Sequence, residues 1–226
     1  MRCAEKFPRQ SHLHRVNKMA KRKMEILYKV YNNLYVNLTN KCPCACTFCL
    51  RQNNETVGES DSLWLDHDPS FEEVVEAFKS KNMDEFESVV FCGFGEPTER
   101  IDVLLQVADF VKKEYKKPVR INTNGLGNLV NGRDICPELE GKIDEVSISL
   151  NTPNADDYFK LVRPKFGEGS FQAMLDFAKE ATKYVKVTFT TVETTLTKEE
   201  EEECAKICEE IGATYRIRPW IGENEA

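Results

Sequence analysis

The sequence predicts an α/β fold, an incomplete (β/α)6 TIM-type barrel built on parallel strands. Three observations lead there. Six short apolar or β-branched stretches alternate with amphipathic ones along most of the chain. No tight hairpin signal joins one stretch to the next, so each strand returns through a helical crossover and runs parallel to its predecessor. With 226 residues the chain falls short of the ~250 of a closed eight-unit barrel, and six units that leave the barrel open fit that length.

The first strand is Leu34-Tyr35-Val36-Asn37-Leu38-Thr39, which runs directly into a group of cysteines. Ser70 and Glu73 form a capping box that opens a helix over 71–80. Ser88 to Cys92 is a short apolar strand entering Gly93-Phe94-Gly95-Glu96-Pro97-Thr98. A helix over 102–115 leads to the strand Val119 to Asn122 and a turn at Thr123-Asn124-Gly125. Glu145 to Leu150 is the fourth strand, followed by an amphipathic helix over 171–183. Val185 to Val192, rich in threonine and valine, is the fifth. Thr197 and Glu200 cap a helix that stops near Gly212, and Thr214 to Arg218 is the last strand.

Charge divides the chain. Residues 1–30 carry nine Lys and Arg against Glu5 and Glu25, while the whole chain has a net charge of −7. The division 1–30, a basic arm that is helical or disordered, and 31–226, the core domain, follows from this and from the thin stripe Val16, Met19, Lys23 and Ile26. An acidic body disfavours nucleic acid as a partner. No apolar run reaches the ~18 residues of a membrane span, and no secretory leader is legible, so a cytoplasmic protein that does not engage a membrane is expected.

Nine cysteines, an odd number without a leader, argue against a disulfide framework and for metal. In parallel α/β folds functional residues gather at the carboxyl ends of strands, and here those ends carry the cysteines, Gly-Phe-Gly-Glu-Pro, Asn-Thr-Asn-Gly, Ser149-Leu150-Asn151, Glu193 and Arg216 to Pro219. The segment Cys42-Pro-Cys-Ala-Cys46-Thr-Phe-Cys49 has the spacing Cys-x3-Cys-x2-Cys. Three thiolates on one short loop suit three irons of a 4Fe–4S cube and leave the fourth iron open. A structural zinc site would recruit Cys44 as its fourth ligand, although zinc usually draws ligand pairs from separated segments. An electron-carrier cluster is the third option.

The cysteine loop, with an aromatic residue, Phe48, before the third cysteine, resembles the signature of the radical S-adenosylmethionine (radical SAM) superfamily. Gly93 to Pro97 is similar to that superfamily's Gly-Gly-Glu-type motif, with Phe94 at the variable second position. Asn122 to Gly125 resembles its third strand end, and Ser147 to Asn151 with Tyr158 and Arg163-Pro164 its fourth-strand region. The likeness covers about residues 34–220. Leu34 to Asn40, Cys49-Leu50-Arg51 and Leu63-Trp64-Leu65 look most like the TatD-nuclease-associated radical SAM group, which carries with it a functional link to a TatD-type nuclease.

The resemblance implies that Cys42, Cys46 and Cys49 ligate a 4Fe–4S cluster whose open iron is chelated by the amine and carboxylate of S-adenosyl-L-methionine. It implies that Gly93 and Gly95 let backbone approach this cofactor and that Glu96 accepts a bond from its ammonium group. Asn124, Ser149 and Asn151 suit its ribose or carboxylate, and Phe48 and Ile217 its adenine. Glu193 and Arg218 either contact cofactor or substrate or form a structural ion pair. No residue is assigned to hydrogen transfer itself. An electron donor such as flavodoxin or ferredoxin would reduce the cluster, and the resulting 5′-deoxyadenosyl radical would abstract hydrogen from a small molecule or a protein that the resemblance does not identify. The alternative is a non-catalytic iron–sulfur or zinc module for electron transfer or partner binding, which has no need of Glu96. Cys92, Cys204 and Cys208 are expected in the core. His12, His14 and His67 have no ligand spacing, and Glu199 to Glu203 favour the dipole of their helix.

Overall fold

The computed structural model describes residues 24–219 except 53, 55, 58 and 59. One sheet of seven strands carries the fold: β1 (Leu27–Val30), β2 (Asn33–Val36), β3 (Ser88–Phe91), β4 (Val119–Thr123), β5 (Glu145–Ser149), β6 (Lys186–Val192) and β7 (Thr214–Arg218). Their order in the sheet is their order in the chain, and β2 to β7 are parallel. Sequential order with right-handed crossovers places every helix on the same face, which is the winding of a barrel rather than of a doubly wound sheet. β1 and β7 remain edges, so the barrel is open.

The helices are α1 (Phe71–Lys79), α2 (Ile101–Glu114), α3 (Gly127–Asn131), α4 (Ala155–Val162), α5 (Ser170–Ala181) and α6 (Lys198–Ile211). The two capping boxes form as expected, Ser70 with Glu73 at α1 and Thr197 with Glu200 at α6, and Gly212 ends α6 in the left-handed region (φ 81). Helices α3 and α4 were not anticipated. They are short, and α4 buries only Tyr158 and Val162, too brief a stripe to register as periodicity. Its N-cap is Asn154, whose side chain accepts from the Asp157 amide.

The seventh strand is a correction. Nothing before Leu34 was expected to form a strand, and helical character was anticipated near 16–29; residues 24–26 are not helical, 27–30 are β1, and 16–23 lie outside the described residues. β1 pairs with β2 in antiparallel fashion through a two-residue turn at Tyr31-Asn32, with Tyr31 at φ 51. A Tyr-Asn turn lacks the Asn-Gly signal of such hairpins, which is why it was not legible. Burial explains the strand: Leu27 and Tyr28 are both buried, and the Tyr28 hydroxyl donates to the Cys92 carbonyl at 3.2 Å.

Alternation divides the sheet's two faces. Leu34, Val36, Val89, Phe91, Ile121, Ile148 and Phe189 join Val74, Phe78, Leu104, Val111, Met174 and Phe177 in one continuous core beneath the helices. Cys204 and Cys208 lie fully within it. Cys92 does not: Phe91 occupies the helix side, so Cys92 takes the opposite, inner face and is partly exposed. By the same alternation the inner face carries Tyr35, Arg120, Asn122, Ser147, Thr188, Thr190 and Arg216, together with buried Val90 and a small apolar group of Tyr28, Leu63 and Phe94 packed against Tyr35. Among the described residues no helix is long and apolar enough to cross a membrane.

Burial of Leu27 and Tyr28 stabilises by about 1.5–3 kcal/mol each. A chain beginning at residue 33 should therefore be less stable by about 3 kcal/mol than one beginning at residue 24. Urea unfolding of the two measures the difference, and equal midpoints would show that β1 contributes nothing.

Candidate functional site

The expected residues converge at the carboxyl ends of β2, β3 and β4. After β2 the chain is pinned from below by two asparagines. Asn37, wholly buried, donates to the Leu63 carbonyl at 2.8 Å. Asn40 bonds the backbone of Leu65 in both directions, donating at 2.8 Å and accepting at 3.0 Å. The cysteine loop that follows is stitched to the end of α4. The Ala45 amide donates to the Val162 carbonyl (3.2 Å), the Thr47 amide to Leu161 (2.9 Å), and the Lys165 amide to the Pro43 carbonyl (2.8 Å). Arg163 makes this possible by entering the left-handed region (φ 49), which turns the chain back along the loop.

Within the loop Cys42, Cys46 and Cys49 are partly exposed, whereas Cys44 is buried. The Cys44 thiol lies against the sulfurs of Cys42 and Cys46 and, acting as their donor, lowers both their pKa values; the same contacts and burial push its own up. Burial raises the pKa of Cys49. Arg51 supplies the nearby positive charge that favours thiolate at all three outer cysteines. Its guanidinium also donates to the carbonyls of Asn40 (3.2 Å) and Phe94 (3.3 Å), tying the cysteine loop to the glycine-rich loop.

The glycine-rich loop after β3 approaches the cysteine loop as closely as backbone allows. A Cβ on Gly95 would collide with the Thr39 carbonyl oxygen and lie 2.7 Å from that of Lys41, and one on Gly93 would meet the Asn37 side chain. The Glu96 amide donates to the Lys41 carbonyl at 2.7 Å. Its carboxylate is 4% exposed and surrounded by donors. Oε1 accepts from the hydroxyls of Thr98 (2.8 Å) and Thr123 (2.7 Å) and from the Thr98 amide (3.2 Å), and Oε2 accepts from the Asn124 amide (2.8 Å). Burial raises the pKa of this carboxyl, and the four donors oppose the shift. Oε2 keeps a free acceptor position. The Asn124 side chain donates toward Cys42 Sγ at 3.9 Å, so it faces the cysteines.

The other expected residues are more dispersed. Phe48 is exposed on the cysteine loop and Ile217 on β7. Asn151, after β5, is buried at φ 67 and donates to the Ser149 carbonyl at 3.2 Å. Glu193 and Arg218 meet through backbone alone, the Glu193 amide donating to the Arg218 carbonyl at 2.8 Å; among the described residues their side chains form no ion pair. Arg51, Thr98 and Thr123 were quoted within motifs but given no role, because their bonds arise only where loops from distant parts of the chain meet. Tyr158 was quoted only as part of a motif; it is buried beneath the cysteines with a hydroxyl that has no partner.

The sequence model of the Radical SAM superfamily matches residues 36–211. No curated protein matches the chain. Among solved structures, Streptococcus suis SuiB bound to S-adenosylmethionine superposes on 84% of this chain and 40% of its own, with a TM-score of 0.62 and 19% identity. The structure of TYW1 with a lysine-pyruvate adduct bound covers 84% of this chain and 65% of its own, with a TM-score of 0.60 and 14% identity. Methylornithine synthase (PylB) covers 83% and 52%, with a TM-score of 0.56 and 16% identity. At such identities the likeness is one of fold. The chain spans about two fifths of the length of SuiB.

Two substitutions test this geometry. Glu96→Gln keeps one acceptor and turns the other into an NH2: with its oxygen toward Thr98 and Thr123, the NH2 meets the Asn124 amide, which cannot accept, and flipped it meets the Thr98 amide instead. A loss of about 1–3 kcal/mol is expected in urea unfolding, and unchanged stability would mean that the carboxylate does not hold these loops. Gly95→Ala should cost about 1–3 kcal/mol by overpacking against immovable backbone. Gly132→Ala, with open space around its Cβ, should cost about 1 kcal/mol of left-handed strain; a reversed order would contradict the close approach of the two loops.

Proposed function

Because the chain belongs to the radical SAM superfamily, enzymes that use a 4Fe–4S cluster and S-adenosylmethionine, we propose that the strand-end site holds both groups and that Cys42, Cys46 and Cys49 are the cluster's ligands. The observation that carries this reading is the meeting of two loops: three partly exposed thiols face a glycine-rich turn held against them by the Glu96 and Arg51 bonds. Given one electron by a reductant, the two groups together supply a 5′-deoxyadenosyl radical for hydrogen abstraction.

The chain's own residues do the positioning. Cys44, Asn124 and Arg51 present donors and charge to the ligating sulfurs and favour their thiolate form. Gly93 and Gly95 let the turn pack directly on Asn37, Thr39 and Lys41, which brings its backbone beside the cysteine loop. The free acceptor position of Glu96 Oε2 suits the ammonium of the methionyl group, a charge-assisted bond in a buried setting. Ser149 and Asn151 offer polar partners for ribose or carboxylate, and Phe48 and Ile217 apolar surface for adenine. The unpartnered Tyr158 hydroxyl beneath the cysteines is a further donor available to a bound group.

Finer points extend the reading. Leu63-Trp64-Leu65, which the two asparagines anchor, supports placement in the TatD-nuclease-associated group and a functional link to such a nuclease. A flavodoxin or ferredoxin would serve as reductant, and oxygen sensitivity of the open cluster favours the cytoplasm.

Anaerobic reconstitution should give about four irons and four sulfides per chain. Cys42→Ala, Cys46→Ala and Cys49→Ala should each lose the cluster and the release of 5′-deoxyadenosine under reducing conditions, while Cys44→Ala keeps both. Loss of iron from Cys44→Ala, with retention by Cys49→Ala, would overturn the ligand assignment.

A further inference from the structure

The inner face of the sheet holds a charge pattern that the strand-end site does not use. Arg120 lies on β4, opposite Glu145 of β5 in register, and Arg216 and Arg218 lie on β7 opposite Thr190 and Val192 of β6. Alternation sends all three side chains to the face that carries no helix. There the Arg120 guanidinium lies against the Tyr35 hydroxyl, and the groups whose charge acts on Arg218 are Cys92, Arg216 and Tyr35. The three cations therefore gather round Tyr35 and Cys92. Between their strands the middle inner positions are small and polar, Ser147, Ser149, Thr188 and Thr190, with Glu145 and Lys186 at the amino end and Val192 at the carboxyl end.

The chain has 38 acidic and 31 basic residues, yet among the described residues no carboxylate pairs with this cluster. Among the described residues neither Arg120, Arg216 nor Arg218 forms an ion pair. Glu145, the carboxylate nearest in register, is committed elsewhere: it accepts from the Thr188 hydroxyl at 2.6 Å and pairs with Lys186 at 3.7 Å. Buried Nε atoms of Arg120 and Arg218 lack any partner, as does Oδ1 of Asn122 beside them. Arg216 is exposed and Arg120 and Arg218 are half-buried, so like charges gather here without a counter-charge among the described residues while two Nε donors are shut off from solvent, a cost that a bound ligand would offset.

We propose that this inner face is the substrate-anchoring site, and that the substrate carries an oxyanion, a carboxylate or a phosphoryl group, which the Arg120, Arg216 and Arg218 guanidiniums bind. The planar fork of arginine matches both anions in bidentate fashion. The anchor spans the strands: Arg120 precedes Asn124 by four residues, about 13 Å along a strand, whereas Arg216 and Arg218 lie toward the carboxyl end of β7, Arg218 as its last residue. The proposal rests on the radical SAM reading of the strand-end site, and S-adenosylmethionine has a carboxylate of its own, so the test must tell the two anions apart.

The test uses reconstituted holoprotein saturated with S-adenosylmethionine, titrated calorimetrically with inorganic phosphate and with malonate. One anion should bind per chain without displacing S-adenosylmethionine. Arg120→Gln and Arg218→Gln should each weaken binding by at least about tenfold, while Lys113→Gln on the outer helix α2 leaves it unchanged. Phosphate should raise the Tm of wild type and not that of the double variant. Where a glutamine variant loses its cluster, Arg120→Lys and Arg218→Lys carry the test: they keep charge but lose the fork, and should bind at least about threefold more weakly. No saturable binding, or wild-type affinity in the arginine variants, overturns the proposal. Competition between phosphate and S-adenosylmethionine also overturns it, because the arginines would then serve the cofactor's carboxylate. Cluster absorbance and S-adenosylmethionine binding, read in the same samples, report separately on the strand-end site. Should those fail while phosphate still binds through the arginines, the radical SAM reading falls and the inner-face anion site stands.

Discussion

The Glu96 residue is where three separate stretches of chain are made into one surface. Its amide holds the cysteine loop through the Lys41 carbonyl, its carboxylate gathers Thr98 from its own turn, and the same carboxylate takes Thr123 and Asn124 from the end of β4. Asn124, so fixed, reaches back to Cys42. A buried carboxylate is costly without donors, and four of them convert that cost into a rigid joint. Because two donors come from Thr98 and two from the end of β4, and the Glu96 amide reaches back to Lys41, the joint forms only when β2, β3 and β4 are already in register. The face that bears the chemistry is thus assembled by the sheet.

This dependence decides what was legible beforehand. Caps and alternation are local, so α1 and α6, with their capping boxes, and the six parallel strands could be read from neighbouring residues. Strand β1 could not, because its burial depends on partners more than sixty residues away, such as Cys92, while its turn carries no glycine. Helix α4 was hidden for a related reason: its role is to lay the Leu161 to Lys165 backbone along the cysteine loop, a service performed by main-chain atoms that leave no trace in side-chain pattern. At the site the cysteine spacing and the glycine-rich turn were legible because each is a contiguous motif. Arg51, Thr98 and Thr123 act across loops, and nothing adjacent in sequence announces them.

Cys44 illustrates how one loop can hold four cysteines without making them equivalent. The bridge between Cys44 and Pro164 draws this residue inward, and the thiol is buried between two sulfurs that remain nearer solvent. Burial disfavours its thiolate, and its neighbours gain a donor. The Cys-x3-Cys-x2-Cys set is therefore distinguished from its fourth member by the stitching to α4 as well as by spacing. Tied along Leu161 to Lys165, the loop holds Cys44 inward and leaves the other three cysteines partly exposed.

The open edge between β1 and β7 gives the two faces of the sheet different work. The helix face is apolar and continuous, and it contributes the stability on which the strand-end joint depends. The inner face has no such requirement, since the barrel does not close and pack upon itself, and it keeps serines, threonines and three arginines where a closed barrel would place layers of branched aliphatics. Its apolar packing lies round Val90 and Tyr28, so the serines, threonines and arginines must answer to something else. An anchor whose Arg120 lies about four residues down β4 from Asn124 would let charge recognition begin away from the reacting bond. Binding energy gathered at that distance can orient a substrate without any contact at the carbon that loses hydrogen. An unactivated C–H bond offers a protein almost nothing to grip, and a remote oxyanion supplies the handle that it lacks.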